Sequence, residues 1–75
     1  MKQKYDIYNE AGWDEENNSP KYKHLTTMKN ERSAIDFISD YRNIGKYGNM
    51  KLCTIIGGKP MVYHEGHAKW LPDEE

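Results

Sequence analysis

Hydrophobic and polar positions alternate from Lys4 to Asn9. Tyr5 and Ile7 fall on one side and Lys4, Asp6 and Tyr8 on the other, which is the period-two pattern of a half-buried strand. From Glu10 to Pro20 the alternation gives way to Gly12, Asn17, Asn18, Ser19 and Pro20 set among acids. These residues supply turns and interrupt regular structure, so 10–20 reads as an exposed acidic loop bearing Trp13. Lys21 to Thr27 is rich in Tyr, Thr and Leu and predicts a second strand paired with the first across that loop. Its alternation is imperfect, because Tyr22 and Leu25 both favour burial yet have opposite parity.

The next pattern is helical. Ala34, Phe37, Ile38 and Tyr41 lie in one stripe, with Arg32, Asp36, Ser39, Asp40 and Asn43 on the far side, which predicts a helix from about Glu31 to Asn43. Asn30 suits its N-cap, with Thr27 a competing cap one turn earlier. Glu31 complements the positive helix end, Arg42 the negative end, and Gly45 or Gly48 a left-handed stop. Met50 to Ile56 and Met61 to Glu65 then flank Gly57, Gly58, Lys59 and Pro60, the signature of a strand, tight turn and strand. The expected fold is α+β, in the order ββαββ, with one helix packed on a three- or four-stranded antiparallel sheet.

Residues opposite one another in an antiparallel pair share a face, so the hairpin can be sorted by parity. One face takes Met50, Leu52, Thr54, Ile56, Met61 and Tyr63; the other takes Lys51, Cys53, Ile55, Val62 and His64. Assigning the first to the helix leaves Cys53, Ile55 and Val62, joined by Tyr8, on a partly apolar outer face. Three outcomes are open for that face: the segment with Ala68, Trp70 and Leu71 folds back over it, a second copy covers it as a homodimer, or another protein binds it.

Length limits what else the chain can do. Its 75 residues form one expected domain, 1–75, ending in an acidic tail at 72–75. A chain of this size buries only about 60% of its unfolded surface, so most apolar residues are needed for folding. The aliphatic set is short, and the six tyrosines are expected to close the core at its edges. With 31% charged residues and a mean hydropathy of -1.07, the chain has no apolar run long enough to span a membrane. The lack of a signal-like opening and the single Cys53 fit a soluble cytoplasmic protein rather than a disulfide-stapled secreted one.

Residue types that carry chemistry are sparse. His24, His64, His67 and Cys53 are possible zinc ligands by type, but paired structural spacing is missing, so no metal or other cofactor is expected. Cys53 with His64 is the one nucleophile and base pair worth testing. A turn made by Gly57 and Gly58 alone would set Cys53 opposite Val62 and diagonal to His64, at about 7–8 Å between α-carbons, poor for a dyad. A four-residue turn through Pro60 would put the two opposite, still with no third orienting carboxylate or oxyanion donor. The reading is therefore non-enzymatic, with no catalytic residues. Gly57, Gly58 and Lys59 lack the spacing and following helix of a phosphate loop.

Two binding readings remain. In the first, Trp13, Asp14, Glu15 and Glu16, together with Tyr8, Ile55 and Val62 of the outer face, contact another protein, since aromatic anchors rimmed by charge make interface hot spots. In the second, Lys2, Lys4, Lys21 and Lys23 lie near one another beside Tyr5, Tyr8 and Tyr22 and hold a single-stranded nucleic acid. Against the second stands a net charge of -1. Trp70 is expected in the core.

In length and in its Lys, Asn, Ile and Tyr usage the chain resembles the small accessory proteins of phages and mobile elements in AT-rich bacterial genomes. That resemblance implies a stoichiometric inhibitor of host machinery, such as an anti-CRISPR or other anti-defence protein presenting carboxylates where a basic groove expects phosphates. The two acidic clusters permit that mechanism.

Overall fold

Residues assigned above to a loop extend the first two strands instead. The computed structural model describes residues 3–73. β1 is Tyr5–Asp14 and β2 is Ser19–Met28, joined by a four-residue turn. The turn-forming residues of 10–20 are spent on local irregularities inside a long hairpin. Ala11 and Gly12 form a bulge opposite Lys21, between the pairs Glu10 with Tyr22 and Trp13 with Pro20, and Gly12 has φ +118°, a value glycine tolerates. Asp14 closes the turn: its Oδ1 accepts from the N–H groups of Glu16 at 3.1 Å and Asn17 at 3.4 Å, and its Oδ2 accepts from Asn17 Nδ2 at 2.7 Å. Asn18 takes the left-handed conformation that completes it.

A second bulge resolves the conflict between Tyr22 and Leu25. Ile7 pairs with Thr26 and Tyr8 with His24, so Leu25 is the extra residue. Leu25 packs against the core, while Tyr22, opposite Glu10, stays on the other face.

Two helices follow where one was expected, α1 at Glu31–Ser39 and α2 at Tyr41–Tyr47. Asn30 caps α1 by accepting from the N–H groups of Arg32 and Ser33. Asp40 makes the break. It adopts an extended backbone (φ -75°, ψ 115°) and its carboxylate caps α2 by accepting from the Arg42 N–H, so a strong N-cap residue overrides a stripe that otherwise runs on. Arg42, expected at a helix C-terminus, instead grips Asp40 from the first turn of α2. The stripe is interrupted accordingly, and Tyr41 is 81% exposed. Gly48, with φ +78°, ends α2 and donates its N–H to Ile44 O.

β3 is Met50–Ile56, β4 is Lys59–His64 and β5 is Lys69–Pro72, giving one antiparallel sheet in the order β2-β1-β3-β4-β5. Among the described residues the architecture is α+β with five strands and two helices, not ββαββ. Gly57 and Gly58, both at positive φ, form the β3–β4 turn alone, and Ile56 pairs with Lys59. The C-terminal segment does not fold over the outer face. It adds a strand to the same sheet, with Trp70 opposite Tyr63 and Leu71 opposite Val62. Pro72 and Asp73 of the expected acidic tail belong to or follow β5; Glu74 and Glu75 lie outside the described residues.

Both helices lie on the Tyr5, Ile7, Leu52 side. Ile7, Ala34, Ile38 and Leu52 form the buried centre, with Leu25, Phe37, Met50 and others packed around it. Each large aliphatic side chain buried there contributes about 1.5–3 kcal/mol. Trp70 closes the far edge, its ring 5.9 Å from that of Tyr5 and 5.4 Å from that of Tyr63, and its Nε1 donates to Glu31 Oε2 at 2.9 Å. Thr54, the buried polar residue, donates its hydroxyl to Lys4 O at 2.6 Å and accepts from Gln3 Nε2 at 3.1 Å. No helix of the described residues is long and apolar enough to cross a membrane.

Candidate functional site

The face opposite the helices carries the alternate residues of every strand. Tyr8 of β1 shares it with His24 and Tyr22 of β2, Lys51, Cys53 and Ile55 of β3, Pro60 and Val62 of β4, and Leu71 of β5. The parity read from the sequence for Cys53, Ile55 and Val62 is the parity observed, and Tyr8 joins them. Nothing among the described residues covers this face: Ile55 is 60% exposed, and Val62 is buried by its neighbours within the sheet.

Sheet twist turns the face into a groove of about 330 Å³, lined by Asp6, Tyr8, Tyr22, Lys51, Cys53 and Ile55, with Pro60 and Asp73 at one end. Lys51 shows the curvature. Its Nζ lies 5.3 Å from the centre of the Tyr22 ring on β2 and 3.7 Å from the Asp73 carboxylate just after β5. In a flat sheet those two edge strands would stand about 19 Å apart. The accumulated twist raises diagonally opposite corners of the sheet over this face and brings Tyr22 and Asp73 toward a common lysine.

The charges in the groove are largely paired with one another. Asp6 Oδ1 accepts from the Thr27 hydroxyl at 2.6 Å and lies 3.4 Å from His24 Nε2, whose ring packs edge-on against Tyr8 at 5.4 Å. Burial, followed by the nearby Asp6 charge, pushes the Tyr8 hydroxyl pKa upward. Burial also pushes the Cys53 thiol up, and Lys51 only partly opposes it. The thiol is therefore held protonated, which makes it a poor nucleophile. Cys53 pairs with Val62, so His64 sits on the diagonal and the two form no dyad. The His64 and His67 rings are 6.1 Å apart, and no group of three metal-ligating side chains occurs among the described residues.

The second feature is an arm. β1 pairs with β3 only as far as Asn9 opposite Met50, so beyond Glu10 the first hairpin continues as a free two-stranded ribbon. The bulge at Ala11 and Gly12 shifts parity by one and sets Trp13, opposite Pro20, on the same side as Tyr22 and Tyr8. Trp13 is 52% exposed, and Glu15 and Glu16 are exposed in the turn. Asp14, grouped with them from the sequence, differs: its carboxylate builds the turn.

The lysines do not form the expected cluster. Lys23 pairs with Asn9, five positions along β1 from Lys4, which is about 17 Å of strand. Antiparallel pairing thus puts Lys4 at one end of the sheet and Lys21 and Lys23 toward the arm, while Lys2 lies outside the described residues. Lys21 and Lys23 also alternate away from Tyr22, onto the opposite face. Tyr22, Lys51, Asp6 and Asp73 line one groove, a juxtaposition that the sequence pattern alone does not contain. Hairpin parity does place Lys51 on that face; the Leu25 bulge that governs Tyr22 has no distinctive residue signal.

No protein-family model, curated protein or solved structure matches this chain.

Proposed function

We propose that this protein is a small non-enzymatic binding protein that modulates another macromolecule by holding a protein partner through its acidic arm. The observation that carries the reading is the free ribbon bearing a half-exposed Trp13 beside Glu15 and Glu16. A two-stranded ribbon unsupported by a third strand is marginal in water. Leaving about 130 Å² of indole uncovered forgoes roughly 3 kcal/mol of apolar burial. An aromatic anchor rimmed by carboxylates is suited to a basic, partly apolar patch on a partner, the arrangement by which an inhibitor occupies a surface that otherwise receives phosphates.

Affinity capture from the source cell's lysate, with and without nuclease and read by mass spectrometry, tests this. The reading expects a stoichiometric protein retained after nuclease and lost with a Trp13→Ala, Glu15→Ala, Glu16→Ala variant. Material that vanishes on nuclease treatment would instead favour nucleic acid.

A further inference from the structure

We infer that the groove on the helix-free face is covered by a second copy of the chain, packed face to face about a two-fold axis, with the acidic arms at opposite ends of the dimer. This goes beyond the arm reading and uses a different surface.

Surface area motivates it first. A compact monomer of 8.8 kDa is expected to expose about 4,800 Å², whereas this chain exposes 5749 Å². The excess is close to the roughly 800 Å² that each partner contributes to a stable interface of ordinary size. Of the large apolar side chains left exposed, Ile55 (60%) and Tyr22 (39%) line the groove, with Pro60 exposed beside Ile55, and Trp13 stands on the arm; Tyr41, Ile44 and Ile56 lie off this face.

Charge and shape then select the occupant. A surface that meets its own copy must not carry a net field, because like charges would face each other. In the groove Lys51 pairs with Asp73, and the one further carboxylate, Asp6, accepts from the Thr27 hydroxyl and lies 3.4 Å from His24 Nε2, so the face carries no block of like charge. The arm is not balanced, with four acids and no base between Glu10 and Asn18, and it would repel a parallel copy. An antiparallel two-fold avoids that. It sets each arm past the end of the other copy's sheet where Lys4, Lys29 and Lys59 are exposed. Acids described at that end are already engaged, Glu31 by Trp70 and Asp73 by Lys51. Two twisted sheets of the same hand also pack face to face about 10 Å apart without added distortion.

Cys53 gives the test, because it is the chain's only cysteine and stands on the central strand of this face. Sedimentation from micromolar to millimolar concentration should show twice the 8.8 kDa chain mass. A short-spacer bis-maleimide should then join the two chains. Because burial slows the Cys53 thiol, the same reaction is run on a Cys53→Ser, Ile55→Cys variant, whose thiol is exposed on the same face. Pairing through the β2 or β5 edge would hold the two Cys53 residues roughly 24 Å apart, five strand spacings, beyond a short spacer. Ile55→Arg should yield a monomer with unchanged circular dichroism, and that monomer should still capture an arm-bound target. A single-chain mass at millimolar concentration overturns the inference. So does a dimer that neither thiol position cross-links, or one that survives Ile55→Arg. Loss of target binding by arm variants that remain dimeric bears on the arm alone.

Discussion

The two tryptophans should respond oppositely to truncation. Trp70 is packed between Tyr5 and Tyr63, and its indole N–H is held by Glu31. Trp70→Ala removes two aromatic pairs worth about 0.5–1.5 kcal/mol each, part of a large apolar burial and a charge-assisted hydrogen bond weakened by exposure. The expected cost is about 3–4 kcal/mol, near the low end of large-to-alanine core substitutions. A chain of this length has a total stability of roughly 4–11 kcal/mol, so the variant should be partly unfolded at moderate temperature. Trp13 has only Pro20 opposite it on a free ribbon, and Trp13→Ala should change stability by less than about 0.5 kcal/mol. Urea unfolding followed by circular dichroism, at a protein concentration held fixed so that any self-association is common to all samples, measures both. A cost above about 2 kcal/mol for Trp13→Ala, or below about 1 kcal/mol for Trp70→Ala, would refute the assignment of one tryptophan to binding and the other to the core.

Other consequences follow from single residues. Leu52→Ala, at a fully buried position in the central strand, should lower stability by about 2–5 kcal/mol in the same assay. Hydrogen bonds from Arg42 hold the Asp40 carboxyl below the usual aspartate pKa, so its contribution is present above the unfolded-state pKa and lost as pH falls through the folded one. NMR titration should find that depressed value in the wild type and a less depressed one in Arg42→Ala, which loses the guanidinium but keeps the backbone N–H bond of the cap; a normal wild-type value contradicts the cap. The Cys53 and Tyr8 pKa values are raised, so their contributions are complete below the unfolded pKa values and fall as pH rises through the folded ones. Urea midpoints should therefore decline above about pH 8.5, the ordinary thiol value, and the decline should shrink in Cys53→Ser.

How much of this was legible depended on whether local pattern and tertiary context agree. The strands around Ile7, Leu52 and Val62 and the Asn30 cap are written in alternation and capping chemistry and stand where the sequence places them, whereas the β3–β4 turn is legible as Gly-rich but its length is fixed only by the pairing of Ile56 with Lys59. The long hairpin was hidden because its bulges and turn use the same Gly, Asn and Asp residues that mark loops. One extra residue reverses every side chain beyond it, and this put Tyr22 and Trp13 on the groove side of the sheet. Asp40 illustrates a different difficulty, since a far-side polar residue in a helical stripe and an N-cap look identical until the backbone breaks. β5 was missed because four residues, Lys69 to Pro72, offer too little alternation to distinguish a strand from a tail.

The central claim is that an acidic, Trp-bearing arm holds a protein partner while the rest of the fold supports it. Its most direct test is calorimetric: the affinity of the captured protein for the wild type and for the Trp13→Ala, Glu15→Ala, Glu16→Ala variant, with Asp14 kept because its carboxylate builds the turn. The account expects the variant to melt as the wild type does and to bind at least tenfold more weakly, a loss of about 1.4 kcal/mol or more. Equal affinity in a fully folded variant would contradict it.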